Sequence, residues 1–271
     1  MDPIVWTCGA SSGARLTPDR RQFAVTVTGG PTTVIDVAGR RLLCDPTFDP
    51  PHDYGYLVKT EGPAVEIGVV GDVDAVLLSH DLHPDNFDES GREFALSAPI
   101  VLAPTTAATR LGPPVQGRGV WETWDLHGMT ITAVPARHGP ADGELNDEGF
   151  VNCEVTGFVI EAPGSPKTYV SGDNASLALV RDIYNRFGPM DCAVLFAGAA
   201  SVPSKFDGRP LSLTSERAVA AAEILDAQHV IVAHQDGWRH FAQNAGDTRH
   251  AFAGAGWQTG CAPHLSVICA N

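Results

Sequence analysis

The chain has 271 residues, 44% of them hydrophobic, with 18 Lys and Arg against 32 Asp and Glu and a formal net charge of −14. That length supports a large buried core, and a surface this acidic repels phosphate backbones, so nucleic acid is not an expected partner. No apolar run is long enough to span a membrane. Residues 1–8 carry no basic segment followed by a long apolar one, so no signal peptide is expected and the expected location is cytoplasmic.

Residues 23–28 alternate in hydrophobicity and predict a strand. Gly29, Gly30 and Pro31 turn the chain into a second strand over 33–37, and Ala38, Gly39 and Arg40 lead to a third over 41–45, an antiparallel meander. Gly29-Gly30 is a turn rather than a phosphate loop, because no helix opens after it. A Pro-rich loop follows over 45–55, a length that in compact domains is often functional. A short buried strand is predicted at 74–78, and others at 100–102, 129–134, 155–161 and 167–171.

From there helices alternate with strands. Helical spacing covers 176–186 and stops near Gly188-Pro189, a strand covers 191–196, and an Ala-rich helix runs from a Thr214 N-cap to Leu225. A strand over 229–234 and a helix over 247–255 complete the pattern. Strands first and alternation later suggest two sheets with helices outside. One domain over 1–271 is expected, with roughly the first twenty residues peripheral. Six cysteines (Cys8, Cys44, Cys153, Cys192, Cys261, Cys269) lack any Cys-x-x-Cys spacing and read as reduced, structural thiols.

The most informative stretch is Leu77-Leu78-Ser79-His80-Asp81-Leu82-His83-Pro84-Asp85-Asn86-Phe87-Asp88. It sets two His and three Asp at the end of the apolar run 74–78, where a strand can hold metal ligands rigidly. Imidazole nitrogen and carboxylate oxygen suit zinc, iron or manganese. Asp, Pro and Asn are also ordinary turn residues. Three further strand ends break the tie: 131–134 is followed by His138, 168–171 by Asp173, and 230–233 by His234. A lone residue of this kind is usually a turn or cap. Four in one chain point to a converging site.

On these residues the chain resembles the metallo-β-lactamase superfamily, whose motif is His-x-His-x-Asp-His followed by a distant His, an Asp and a last His. The likeness spans roughly residues 22 to 256. It is strongest toward UlaG-like, lactonase-type metal-dependent hydrolases through Val134-Pro135-Ala136-Arg137-His138-Gly139, Ser171-Gly172-Asp173 and His234-Gln235-Asp236-Gly237-Trp238. The resemblance implies a four-layer αβ/βα sandwich with metals at the sheet edges. It also implies a ligand set drawn from His80, Asp81, His83, Asp85, Asn86, His138, Asp173 and His234.

Two departures from the motif stand out. One residue is inserted in the leading motif, so that either His80 reaches in through a bulge or Asp81 substitutes at the first position. Asn86 stands where the last His belongs and offers only a neutral amide, which leaves the second position weak or empty.

The resemblance implies one or two Zn2+ ions, with Mn2+ or Fe2+ as alternatives, and Asp85 as the catalytic base. The expected activity is hydrolysis of a small-molecule ester, lactone, thioester or phosphodiester. The alternatives are a biosynthetic enzyme of the same fold, for thioester hydrolysis or ring closure, and a degenerate metal-poor binding protein. His240, six residues after His234, reads as an exposed residue at a helix start, with a place in the pocket lining as the alternative, and His52 and residues 139–149 as surface loops or pocket walls. His127, His229, His250 and His264 read as structural, and Trp121 and Trp124 as packing aromatics. The oligomeric state is not legible in the sequence.

Overall fold

The structure is a computed structural model that describes residues 4–6, 16 and 19–260. Cys8, Cys261, Cys269 and His264 lie outside the described residues. Two sheets pack face to face. The first runs in the spatial order Phe23–Gly29, Thr32–Val37, Arg40–Cys44, Ala75–Leu77, Val101–Pro104 and Val115–Arg118, antiparallel over the first three strands and parallel thereafter. The second runs Thr123–Leu126, Met129–Pro135, Thr156–Glu161, Thr168–Val170, Cys192–Phe196, His229–Ala233, Ile4–Trp6 and Gln258–Gly260. Its first four strands are antiparallel and the rest parallel.

The period-2 alternation of side chains builds the layers. Leu42, Cys44, Ala75 and Leu77 of the first sheet face Cys192, Val194 and Phe196 of the second, in one core. The intervening Leu43 and Val76 turn outward with Ala95 and Ala107 of the helices Glu89–Ser97 and Thr105–Leu111. Ala193 and Leu195 turn outward to meet Val180, Ala218 and Phe252 of Leu177–Phe187, Ser215–Ile224 and Ala245–Gly254. The result is the four-layer αβ/βα sandwich. Among the described residues no helix is long and apolar enough to cross a membrane.

The caps follow the sequence. Thr214 accepts from the Arg217 N–H and Ser176 from the Leu179 N–H. Leu177–Phe187 ends at Gly188 with φ 70°. Besides the single turn Ile67–Val70, two helices have no predicted counterpart, Glu89–Ser97 and Thr105–Leu111. The first buries only Gly91 and Ala95, and the second only Ala107, so neither carries a broad apolar stripe. The short strands Val115–Arg118 and Thr123–Leu126 were likewise not expected. Ile4–Trp6 pairs in parallel with strands on both sides.

Candidate metal centre

The site forms where the ends of strands from both sheets meet. Beyond Ala75–Leu77 the chain is gripped by Asp45, which ends the neighbouring strand. Its carboxylate accepts the Ser79 N–H and the Ser79 hydroxyl, both at 2.6 Å, and the Asn86 amide at 3.2 Å. Both ends of the loop carrying His80, His83 and Asp85 are therefore tied to one buried residue. Within the loop, the N–H groups of Asn86 and Phe87 donate to the His83 carbonyl and fix a tight turn. From the other sheet, the Thr156 N–H donates to the Ser79 carbonyl at 3.0 Å.

His138, Asp173 and His234 arrive from the second sheet. A Cβ at Gly172, whose φ is 54°, would lie 2.8 Å from the Ser79 Cβ, so only glycine lets Asp173 approach the His80 strand. His234 is placed by the hairpin turn of the first sheet. Its N–H donates to the Gly30 carbonyl at 2.7 Å, and the Gly30 N–H donates to Asp236 Oδ1 at 2.8 Å. The ring stacks on Phe196 with centroids 5.3 Å apart.

Two donor groups result. Ligand atoms of His80, His83, His138 and Cys153 all lie within 4.8 Å of one another, and those of Asp85, Asp173 and His234 meet the same limit. His83 Nδ1 stands 2.8 Å from His80 Nε2 and 3.1 Å from His138 Nε2. His138 Nδ1 lies 3.0 Å from the Leu211 carbonyl, which can only accept. The His138 proton is therefore on Nδ1, and its Nε2 lone pair faces the other two rings. The groups adjoin: His138 Nε2 is 3.7 Å from Asp173 Oδ2, and His234 Nε2 is 3.4 Å from Asp173 Oδ1 and 3.3 Å from Asp85 Oδ2.

Burial dominates the electrostatics. It drives His80 well below the ordinary imidazole range, His83 down to about 4 and His138 down to about 3, so all three rings are neutral donors at neutral pH. Burial opposes ionisation of Asp85 as well, but the His240 and His234 imidazoles outweigh it and hold the carboxyl well below its usual range. Asp173 is raised well above that range by burial and then by the charges of Asp85 and Asp45. Asp45 itself is pushed up to about 7, chiefly by burial, and the Cys153 thiol to about 12 for the same reason.

The donor set fits a cation. Asp85 Oδ1, Asn86 Oδ1 and both oxygens of Asp173 are buried without a hydrogen-bond partner. Buried polar oxygens are normally satisfied, and an unpartnered carboxylate costs several kcal/mol. Converging imidazole nitrogens and carboxylate oxygens are the donors of zinc, manganese or iron.

Of the residues expected from the sequence, the structure brings together His80, His83, Asp85, Asn86, His138, Asp173 and His234. It does not bring Asp81. That carboxylate is held by Arg110, with Nε at 2.9 Å and Nη2 at 2.5 Å, so the inserted residue points to the helix Thr105–Leu111 and His80 fills the vacated place. The reading of His240 as an exposed residue is also corrected, because its Nε2 lies 2.9 Å from Asp85 Oδ2. Cys153, read as structural, lines the three-imidazole group. Asp45 was missed, although it ends an apolar strand just as His80 does. His52 is exposed and meets Tyr54 edge to face, and it joins neither donor group.

Two cavities adjoin the centre. A small one is lined by His83, Asp85, His138 and Lys205, and it shares Tyr56, Leu57, Val202 and His240 with a larger cavity of about 440 Å³. Val58, Pro203 and Arg239 also line the larger one. Leu145 and Gly149, within the predicted wall segment, line a third cavity of about 210 Å³ that also reaches His138 and Cys153 and carries Arg118 and Arg137.

Residues 40–235 match the model of the beta-lactamase superfamily domain. A metal-dependent hydrolase of Rubrobacter xylanophilus is 27% identical over 209 residues, 72% of this chain and 74% of the relative. Among solved structures, a possible metal-dependent hydrolase from Veillonella parvula superposes with a TM-score of 0.76 at 17% identity, over 88% of this chain and 96% of the other. An isothiocyanate hydrolase from Delia radicum gut bacteria superposes at 0.73 and 20% identity, with the same coverage of 88% and 96%. These two likenesses show the shared fold.

Proposed function

The chain belongs to the beta-lactamase superfamily and is a metal-dependent hydrolase of that fold, and we propose that it opens a small-molecule ester, lactone or thioester at a two-ion centre. Asp173 carries this reading: a fully buried carboxylate, both oxygens unpartnered, set between two converging donor groups. His80, His83 and His138 form one position. Asp85, Asp173 and His234 form the other, with Asn86 Oδ1 as a neutral neighbour. Zinc fits both positions, and manganese or iron suits the oxygen-rich one.

When bound, such ions supply hydroxide near neutral pH and polarise the oxygen of the scissile group. Asp85 Oδ1, free of hydrogen bonds, accepts the proton released as water attacks. His240, bonded to Asp85 Oδ2 and facing the cavity, gives its own proton to the leaving group, and the proton taken up by the Asp85 carboxyl replaces it. Tyr56, Leu57, Val58, Val202 and Pro203 seat an apolar acyl portion and exclude water beside the centre. Among the described residues, Lys205 and Arg239 are the cationic side chains that line these two cavities.

The test is elemental analysis of protein purified without chelator, beside a His138→Ala/Asp173→Ala variant, followed by assay against esters, lactones, thioesters and phosphodiesters. Transition metal bound by the wild type and lost in the variant, with acyl hydrolysis abolished by chelator, is the expected result. A folded wild type that takes up neither zinc nor manganese would overturn the reading, as would a metal-loaded protein that cleaves only phosphodiesters.

A further inference from the structure

We propose that Cys153 supplies a thiolate as a fourth protein donor to the three-imidazole position, an inference that rests on the metal-centre reading above. The sulfur lies within 4.8 Å of donor atoms on His80, His83 and His138, and the residue is buried. Cys44 and Cys192, the other described cysteines, are instead packed among apolar side chains between the sheets.

Two tethers deliver Cys153 to this place. On one side, a Cβ at Gly139 would meet Val151 Cγ1 at 2.5 Å, and φ there is 138°. The bare glycine next to His138 therefore lets Val151 close against the His138 loop. On the other side, Thr156 is bonded to the carbonyl of Ser79, the residue before His80. Between them, Asn152 Oδ1 accepts from Lys205 Nζ at 3.2 Å. Cys153 thus sits on a short segment pinned at each end to a neighbour of an imidazole donor.

Three imidazoles and one thiolate make a tetrahedral set suited to zinc. Forming the sulfur–metal bond releases the thiol proton to solvent and changes no oxidation state. With four protein donors this position is closed, as in structural zinc sites. Open coordination is then left to the Asp85, Asp173 and His234 position, the one adjoining His240 and the apolar cavity. The two positions become chemically unequal, one rich in nitrogen and sulfur and the other in oxygen.

The test is optical spectroscopy of the full chain and of Cys153→Ser, both loaded with Co2+. Visible ligand-field bands report bound cobalt, and a near-ultraviolet sulfur-to-cobalt charge-transfer band reports a thiolate ligand. The expected result is both features in the wild type. The variant should be folded by circular dichroism, keep the visible bands, lose the near-ultraviolet band, and yield cobalt to a competing chelator about tenfold more readily. Cys153→Ala serves the same comparison should the serine variant not fold. Cobalt bound without a charge-transfer band, or a band that persists in the variant, overturns the role of Cys153 and leaves the metal centre standing. No cobalt uptake by either protein overturns both.

Discussion

His240 Nε2 lies 2.9 Å from Asp85 Oδ2, joining residues 155 positions apart. His240 belongs to neither donor group, yet it faces the cavity and touches the carboxylate proposed as the base. His240→Ala is expected to lower turnover by about 10²–10⁴-fold, the range for losing a general acid or base, with metal content unchanged. Steady-state kinetics beside elemental analysis checks this, and a matching loss of metal would make His240 a ligand instead.

Asp173 should have opposite effects in the two forms of the protein. Without metal it is a buried carboxyl with no hydrogen-bond partner, a condition that costs about 1–3 kcal/mol. Asp173→Asn is therefore expected to leave the chelator-treated protein at least as stable as the wild type. With zinc present the wild type should melt several degrees above the variant, because an ion bound only by the folded state adds stability. Thermal unfolding with and without chelator measures both signs.

Asp88 is the junction beneath the site. It accepts the Phe48, Asp49 and Gly91 N–H groups and the buried Lys59 ammonium at 2.8 Å. Asp88→Ala uncaps Glu89–Ser97 and strands Lys59 without a counter-charge. The expected cost is about 3–5 kcal/mol, typical of a broken buried pair, and urea unfolding reads it directly.

Asp49 gives the fold a pH signature. Burial favours its neutral form, but the Ser90 and Tyr54 hydroxyls and the Ser90 and Glu89 N–H groups outweigh burial and hold its pKa below 3.8. A carboxyl lowered in the folded state contributes stability above its unfolded pKa and loses it as pH falls through the folded value. Asp49→Asn should therefore be less stable than the wild type at pH 7, with the gap narrowing below about pH 4. Urea midpoints at several pH values test this, and a gap independent of pH would show that ionisation of Asp49 contributes nothing.

The sandwich was legible because its strands are apolar runs and the helix Ser215–Ile224 buries a broad Ala-rich face. The ligands were legible because they sit at strand ends. The choice between His80 and Asp81 stayed open in the sequence because the Asp81 partner, Arg110, lies 29 residues away on a separate helix. Cys153 had no local signal and His240 only its place six residues after His234, since each acquires its role from partners that only tertiary packing supplies. Asp45 did carry a signal, an acidic residue closing an apolar strand, but one shared with ordinary turns.

His80, His83 and Asp85 follow a strand of one sheet, whereas His138, Asp173 and His234 follow strands of the other. The centre therefore works as a rivet through the seam of the sandwich. An ion held there ties donors of both sheets together, so its removal should loosen that rim. Amides around Ser79 and Thr156, bonded across the same seam, should exchange with deuterium faster once the rivet is withdrawn, while those of the central strand Cys192–Phe196 stay protected.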